Sequence, residues 1–233
     1  PGIGEKHIFR SAGVMPGVMP EEVRLWCSLH DRDLAPMMAA YDAMKEIFTR
    51  VAATTNVGLE EKFIAACRGY LPNDVAGRVL DGALREIGPP RWSEADIDWM
   101  KQLSAAASPG MPFALHREIE FHGEGIDDYG QDDGDASWIV PLARLNWAYP
   151  TTVPIHHWAW TALSGHKASS AGPLMASEAI ALAAVTFLSR PDLVAEAKAE
   201  LRRRVGDEVI TVISPGINEI MARDPEAFWE ARW

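Results

Sequence analysis

Cysteine is nearly missing from this chain: two residues, Cys27 and Cys67, in 233. Two thiols make neither a disulfide framework nor a zinc knuckle. Both sit in apolar, strand-like runs, so they read as reduced, buried thiols of a cytoplasmic protein. Basic charge is also scarce, with 22 Lys and Arg against 33 Asp and Glu and a formal net charge of −11. A polyanion is gripped by clustered cations, so no nucleic-acid partner is expected. The densest cationic run, Arg202 to Arg204, falls at the end of a helical pattern, where it complements the helix dipole. The strongest apolar run, residues 179–188, is too short to cross a bilayer, and no membrane association is expected. No signal-peptide pattern is visible, although the chain opens on Pro1.

What is present has the texture of an ordinary folded protein, 48% hydrophobic and 24% charged. KHIFRSAG and VRLWCSLH read as two strands, with MPGVMP between them supplying turn chemistry. Asp33 is placed to cap a helix over 34–53, whose Met37, Tyr41, Met44, Ile47, Phe48 and Val51 recur at helical spacing and predict one buried face. LEEKFIAAC, 59–67, predicts an edge-like strand with the Glu60–Glu61 pair at the surface. A helix follows YLPND and ends at Gly88-Pro89-Pro90. Ser93 with Asp96 makes a capping box for the next helix, which carries Ile97, Met100 and Leu103. The Ala, Ser, Gly and Pro composition of 104–110 marks a candidate boundary.

Beyond that boundary comes GEGIDDYGQDDGD, 123–135, whose spacing lacks the downstream Glu of a calcium-binding loop. WIVPLARLNWAY then reads as a return to strand. An Ala-rich helix is predicted over 173–189 and another from Pro191 to Arg204. Between WIVPLARLNWAY and these helices, TTVPIHHWAWTALSGHKASSAGP concentrates His156, His157 and His166 with Trp158 and Trp160. Neutral imidazole is a good ligand for a divalent transition ion, and a loop entering a helix can aim it at a cleft. The same residues read equally as hydrogen-bonded structural or surface groups, because a histidine becomes a ligand only with partners at fixed distance. The tryptophans are core or a stacking surface for an aromatic ring.

RLWCSLHDRD, a strand ending in YLPN, and LREIGPPRWSEADIDWMKQL, followed by GDASWIVP, an HxW, an Ala-rich helix and FLSRPDLVAEAKAE, form an ordered set. It resembles the metal-dependent amidohydrolases and peptidases of the aminoacylase and glutamate-carboxypeptidase type, in particular the p-aminobenzoyl-glutamate hydrolase B-subunit subgroup. The resemblance runs along nearly the whole chain. It implies an α/β protein: a ferredoxin-like α+β lid (dimerisation) domain at 1–105, followed at 106–233 by the C-terminal part of an α/β zinc-peptidase-like catalytic domain. It also implies homo-oligomerisation through the lid.

Relatives of that type carry most metal ligands and the catalytic glutamate in an N-terminal half, on an HxD-type motif that this chain lacks. The resemblance therefore implies a C-terminal fragment, completed by an N-terminal fragment of the same precursor that brings the catalytic residues. The expected cofactor is a divalent transition metal, manganese or zinc, as one or two ions. The family's last ligand, a His before the Ala-rich helix, falls on Ser170 without gaps, or on His166 with a four-residue shift. Arg68, Asn73, His156 and His30 stand at substrate-facing positions. Gly17 replaces the Asn of a PNV-type turn. The reaction implied is metal-dependent hydrolysis of a C–N bond beside a small aromatic acid. The loss at Gly17 and the surplus tryptophans point to deamination of 5-nitroanthranilate to 5-nitrosalicylate. The alternatives are aminobenzoyl-glutamate-type amide hydrolysis and a non-catalytic lid or oligomerisation protein.

Overall fold

The computed structural model describes residues 4–11, 15–31, 33–115, 117–122, 132–147, 152–153 and 156–206. The chain is mixed helix with a small two-stranded sheet, an α+β arrangement. It divides into two compact units, one from Pro1–Leu71 with Ile126–Ile139, the other from Pro72–Gly125 with Val140–Asp207.

The first unit opens with β1, Gly4–Ser11, and β2, Arg24–His30, the two strands expected from the sequence. They pair antiparallel with Ile8 opposite Trp26, and the register is interrupted between Phe9 and Ser11. Helix α1, Leu34–Thr55, follows and ends on Asn56, whose left-handed backbone (φ 55°) lets the Val57 amide return to the Ala52 carbonyl at 3.0 Å. Asp33 precedes α1 without a side-chain capping bond.

Three expectations for this unit need correction. The apolar face of α1 is only partly covered: Ile47 and Val51 are 49% and 52% exposed, and Ala52 is the helix's buried residue. Residues 59–67 are not a strand but irregular chain. No described strand pairs with them, and a strand without a ladder leaves its backbone groups to solvent. Their side chains turn to α1 instead: the Tyr41 hydroxyl donates to Glu61, Lys45 lies 2.7 Å from the same carboxylate, and Tyr41 meets Phe63 edge-on at 5.3 Å. Cys27 and Cys67 are half-buried rather than buried.

Among the described residues, the regular elements of the second unit are helices: α2, Asp74–Ile87; α3, Glu94–Ala107; α5, Trp158–Ser164; a 3-10 turn, Lys167–Ser170; α6, Ala171–Ser189; and α7, Pro191–Val205. The intervening α4, Asp132–Ser137, belongs to the first unit. The Ser93–Asp96 capping box forms as its spacing predicts, and α2 stops at Gly88. Leu80 and Ala83 of α2 pack against Ala179 and Ala183 of α6. Alanines on both faces allow the backbones to approach closely. A second cluster joins Met100 and Leu103 of α3 to Ala159 and Leu163 of α5 and to Ala168 of the 3-10 turn.

The strand expected in WIVPLARLNWAY is absent: Trp138 and Ile139 turn, and 141–147 run irregularly, with Ala143 and Leu145 packed on the α2–α6 cluster. Pro141 removes one ladder donor, and no described strand pairs there. Most of the acidic 123–135 stretch lies outside the described residues, as do 148 and 149. The apolar run is longer than 179–188 suggested. The 3-10 turn and α6 together span 23 residues, Lys167–Ser189, long and apolar enough by length and composition to cross a membrane. Core helices of water-soluble folds pass the same test, and α6 buries Gly172, Met175, Ala176, Ala179 and Ala183.

One buried carboxylate joins α7 to α2. Glu200, 6% exposed, accepts the amides of Asp74 and Val75 at 2.8 and 3.0 Å, the first-turn donors of α2. Arg204, in the cationic last turn of α7, holds the same carboxylate at 2.8 Å and Asp74 at 3.2 Å. Burial pushes the Glu200 carboxyl up, but the Val75 and Asp74 amides and the Arg204 guanidinium together outweigh it and leave the group below its ordinary value. A carboxyl depressed by folding contributes stability above its unfolded value and loses it as pH falls through the folded one. We therefore expect Glu200→Gln to cost about 1–3 kcal/mol in urea unfolding at neutral pH. The gap between wild type and variant should close as pH drops below the carboxylate range.

Candidate functional site

The histidine–tryptophan segment of the second unit builds an open recess of about 630 Å³, lined by His156, His157, Trp158, Trp160 and Thr161. Short-range bonds fix its walls. His157 precedes α5 in extended backbone and its Nδ1 accepts the Ala159 amide at 3.3 Å. Trp160 buries part of its ring in the α3–α5 cluster and donates its indole N–H to the Val153 carbonyl at 3.2 Å. Trp158 is 55% exposed and offers an aromatic face. His156 is exposed with a φ of 61°. A non-glycine residue in the left-handed region carries of order 1–3 kcal/mol of strain, and such residues concentrate at ligand-facing positions.

His166 sits elsewhere in the same unit. Its ring stacks on Trp99 of α3, centroids 3.7 Å apart and planes 7° from parallel. Its Nδ1 accepts the Ala168 amide at 3.1 Å, capping the 3-10 turn. Trp92 donates to the Ala168 carbonyl at 2.8 Å, and the Lys167 ammonium lies 3.3 Å from Asp96. Ser170, the other candidate for the last ligand, is exposed. Asn73 is buried at the α2–α7 joint with both ends of its amide engaged. Its oxygen accepts the Ala76 amide at 3.0 Å and its nitrogen donates to the Ala197 carbonyl at 2.9 Å.

The remaining two carried-over residues belong to the first unit. His30 ends β2, half-buried, with its Nε2 3.0 Å from the Ser28 hydroxyl. Arg68 is 5% exposed, its guanidinium 5.6 Å from the centre of the Trp138 ring. Helix α4 and Trp138 clasp this stretch. Asp135 accepts the Arg68 amide at 3.0 Å, Ser137 accepts the Leu71 amide at 2.8 Å, and Trp138 donates to the Gly69 carbonyl at 2.9 Å. Of His166, Arg68, Asn73, His156 and His30, the residues given a metal- or substrate-facing place by the resemblance, His156 alone lines the recess. Among the described residues no group of three or more His, Cys, Asp or Glu side chains converges as a metal cage.

Sequence reasoning did not anticipate the clasp or the Glu200 joint. For the clasp, GDASW held the signal: a glycine ahead of a short-side-chain acceptor and a tryptophan.

A curated bacterial protein is similar over most of this chain. It is the B-subunit of p-aminobenzoyl-glutamate hydrolase from Escherichia coli (strain K12), 24% identical over 221 residues, which cover 83% of this chain and 46% of that protein. The chain thus spans about half the length of the curated relative it matches. No family profile and no solved structure matches the chain. The likeness to this hydrolase subunit supports a distant relationship to amidohydrolases and peptidases.

The clasp yields a direct test. A Cβ on Gly134 would lie 2.0 Å from the Arg68 carbonyl oxygen, so one backbone must move. We expect Gly134→Ala to destabilise the first unit by about 1–3 kcal/mol, the range of an overpacked site. Faster amide exchange at Arg68 and Leu71 would report the opened clasp. Unchanged exchange would show that these bonds do not hold the segment.

Proposed function

We propose that this chain is the C-terminal part of a hydrolase that cleaves the amide bond between a small aromatic acid and an amino acid, the aminobenzoyl-glutamate type of substrate. The observation that carries this reading is the similarity to the p-aminobenzoyl-glutamate hydrolase B-subunit, which extends over 83% of the chain. It favours amide cleavage over deamination of 5-nitroanthranilate, the reaction that Gly17 and the surplus tryptophans suggested. In this reading the ferredoxin-like lid lies within 1–105 and serves homo-oligomerisation, and 106–233 contribute to the catalytic domain. An N-terminal portion supplies the proton-relaying glutamate and the ligands of a manganese or zinc ion.

The recess supports an aromatic substrate. An exposed indole face at Trp158 and the imidazole of His156 suit a planar ring, which prefers offset stacking or edge contact. His156 is the residue that meets substrate. Arg68, Asn73 and His30 act by holding the chain around them, through the Trp138 clasp, the α2 cap and the Ser28 contact.

The test uses protein isolated from its native source, so that any accompanying polypeptide is retained. It is offered p-aminobenzoyl-glutamate and 5-nitroanthranilate separately, with products resolved by chromatography. Release of p-aminobenzoate and glutamate, slowed after dialysis against a chelator, is the expected result. Loss of the aromatic amine from 5-nitroanthranilate without amide cleavage would overturn the reading. Turnover of neither substrate would favour a non-catalytic lid or oligomerisation role.

A further inference from the structure

We propose that the three histidines of the 156–166 segment divide their work. His157 and His166 are helix-capping groups built into the fold, and His156 is the imidazole presented to a ligand. His166 is then not the metal ligand that its place before α6 suggests. This holds whatever reaction the protein catalyses.

Where the ring protons sit separates the two roles. A backbone N–H can only donate, so an imidazole nitrogen that accepts it must carry a lone pair and no proton. The Ala168 amide points at Nδ1 of His166 at 3.1 Å, and the Ala159 amide points at Nδ1 of His157 at 3.3 Å. In the neutral ring the proton of each is therefore on Nε2. An Nε2 that carries a proton has no lone pair for a cation, and Nδ1 is already engaged. To ligate through Nε2, either ring must move its proton to Nδ1, which ejects the capping amide. A ligating histidine is normally arranged the other way, donating its second N–H to an acceptor.

Packing adds to the commitment of His166. The ring lies flat on Trp99, while Trp92 and Asp96 hold the two residues that follow it. Turning the imidazole toward a cleft would separate this stack and free the 3-10 turn from α3. Ser170, the alternative position, offers a hydroxyl, a poor ligand for such ions beside imidazole. As placed, neither candidate fits a bound metal. His156 has no such commitment: among the described residues its ring has no hydrogen-bond partner, and it lines the recess beside Trp158.

Asparagine separates the two roles, because it is among the best N-caps and a weak replacement for a ligating imidazole. Long-range proton–nitrogen spectra of the full chain at neutral pH should show the Nε2–H form at His157 and His166. His166→Ala should lower the melting temperature by about 2–4 °C, the shift for losing one cap in a domain of this size. His166→Asn should recover part of that loss and retain any melting shift that zinc chloride induces in the wild type. An Nδ1–H form at His166, an asparagine variant no more stable than the alanine one, or a zinc-induced shift that disappears in His166→Asn would each overturn the assignment.

Discussion

The first turn of α2 begins where three backbone donors need partners, and the fold supplies them from side chains. An isolated helix leaves its first four N–H groups unsatisfied. Here the Ala76 amide goes to Asn73, and those of Asp74 and Val75 go to Glu200 on α7. A carboxylate at a helix N-terminus also meets the positive end of the macrodipole. Arg204 then balances the charge from the next turn of α7. The α2–α6 contact, and with it the placement of the chain entering α6, rests on α2 holding this position. Breaking the pair from either side would leave buried polar groups unmatched, which is why one glutamate carries so much of this unit.

The same device recurs with a different side chain in the histidine-rich segment. His157 and His166 each precede a helical turn and each uses Nδ1 where Ser, Asp or Asn more often serves. Histidine adds a flat ring, and at His166 that ring is stacked on Trp99. An imidazole cap therefore joins a helix start to a neighbouring helix in one step. A cluster of histidines that looks like a metal site from its composition becomes, residue by residue, two structural joints and one exposed group.

Local signals carried the sequence reading furthest. The hairpin, the capping box at Ser93, the stop at Gly88 and the Pro191 start depend on residues within a few positions of each other. The failures share a different cause. Whether 59–67 or 138–149 forms a strand depends on a ladder partner elsewhere in the chain, which periodicity does not reveal. The α1 stripe was read as buried because its spacing is helical, yet spacing says only which residues share a face, not what covers it. Glu200 and Gly134 act on residues more than sixty positions away, so nothing adjacent announces them. His156 was legible as a candidate, and it lines the recess. The commitment of His166 was not, because an acceptor nitrogen is a matter of where Ala168 and Trp99 lie.

The helical scaffold of the second unit is built on α2 packed against α6, and the Glu200 joint holds the start of α2. Amide hydrogen exchange at Asp74 and Val75, read by NMR at neutral pH, tests it most directly. Protection at both amides comparable to the interior of α2 is the expected result, since each is bound to a buried carboxylate. Exchange at the rate of a frayed helix terminus would contradict the joint, and with it the structural basis given for this unit.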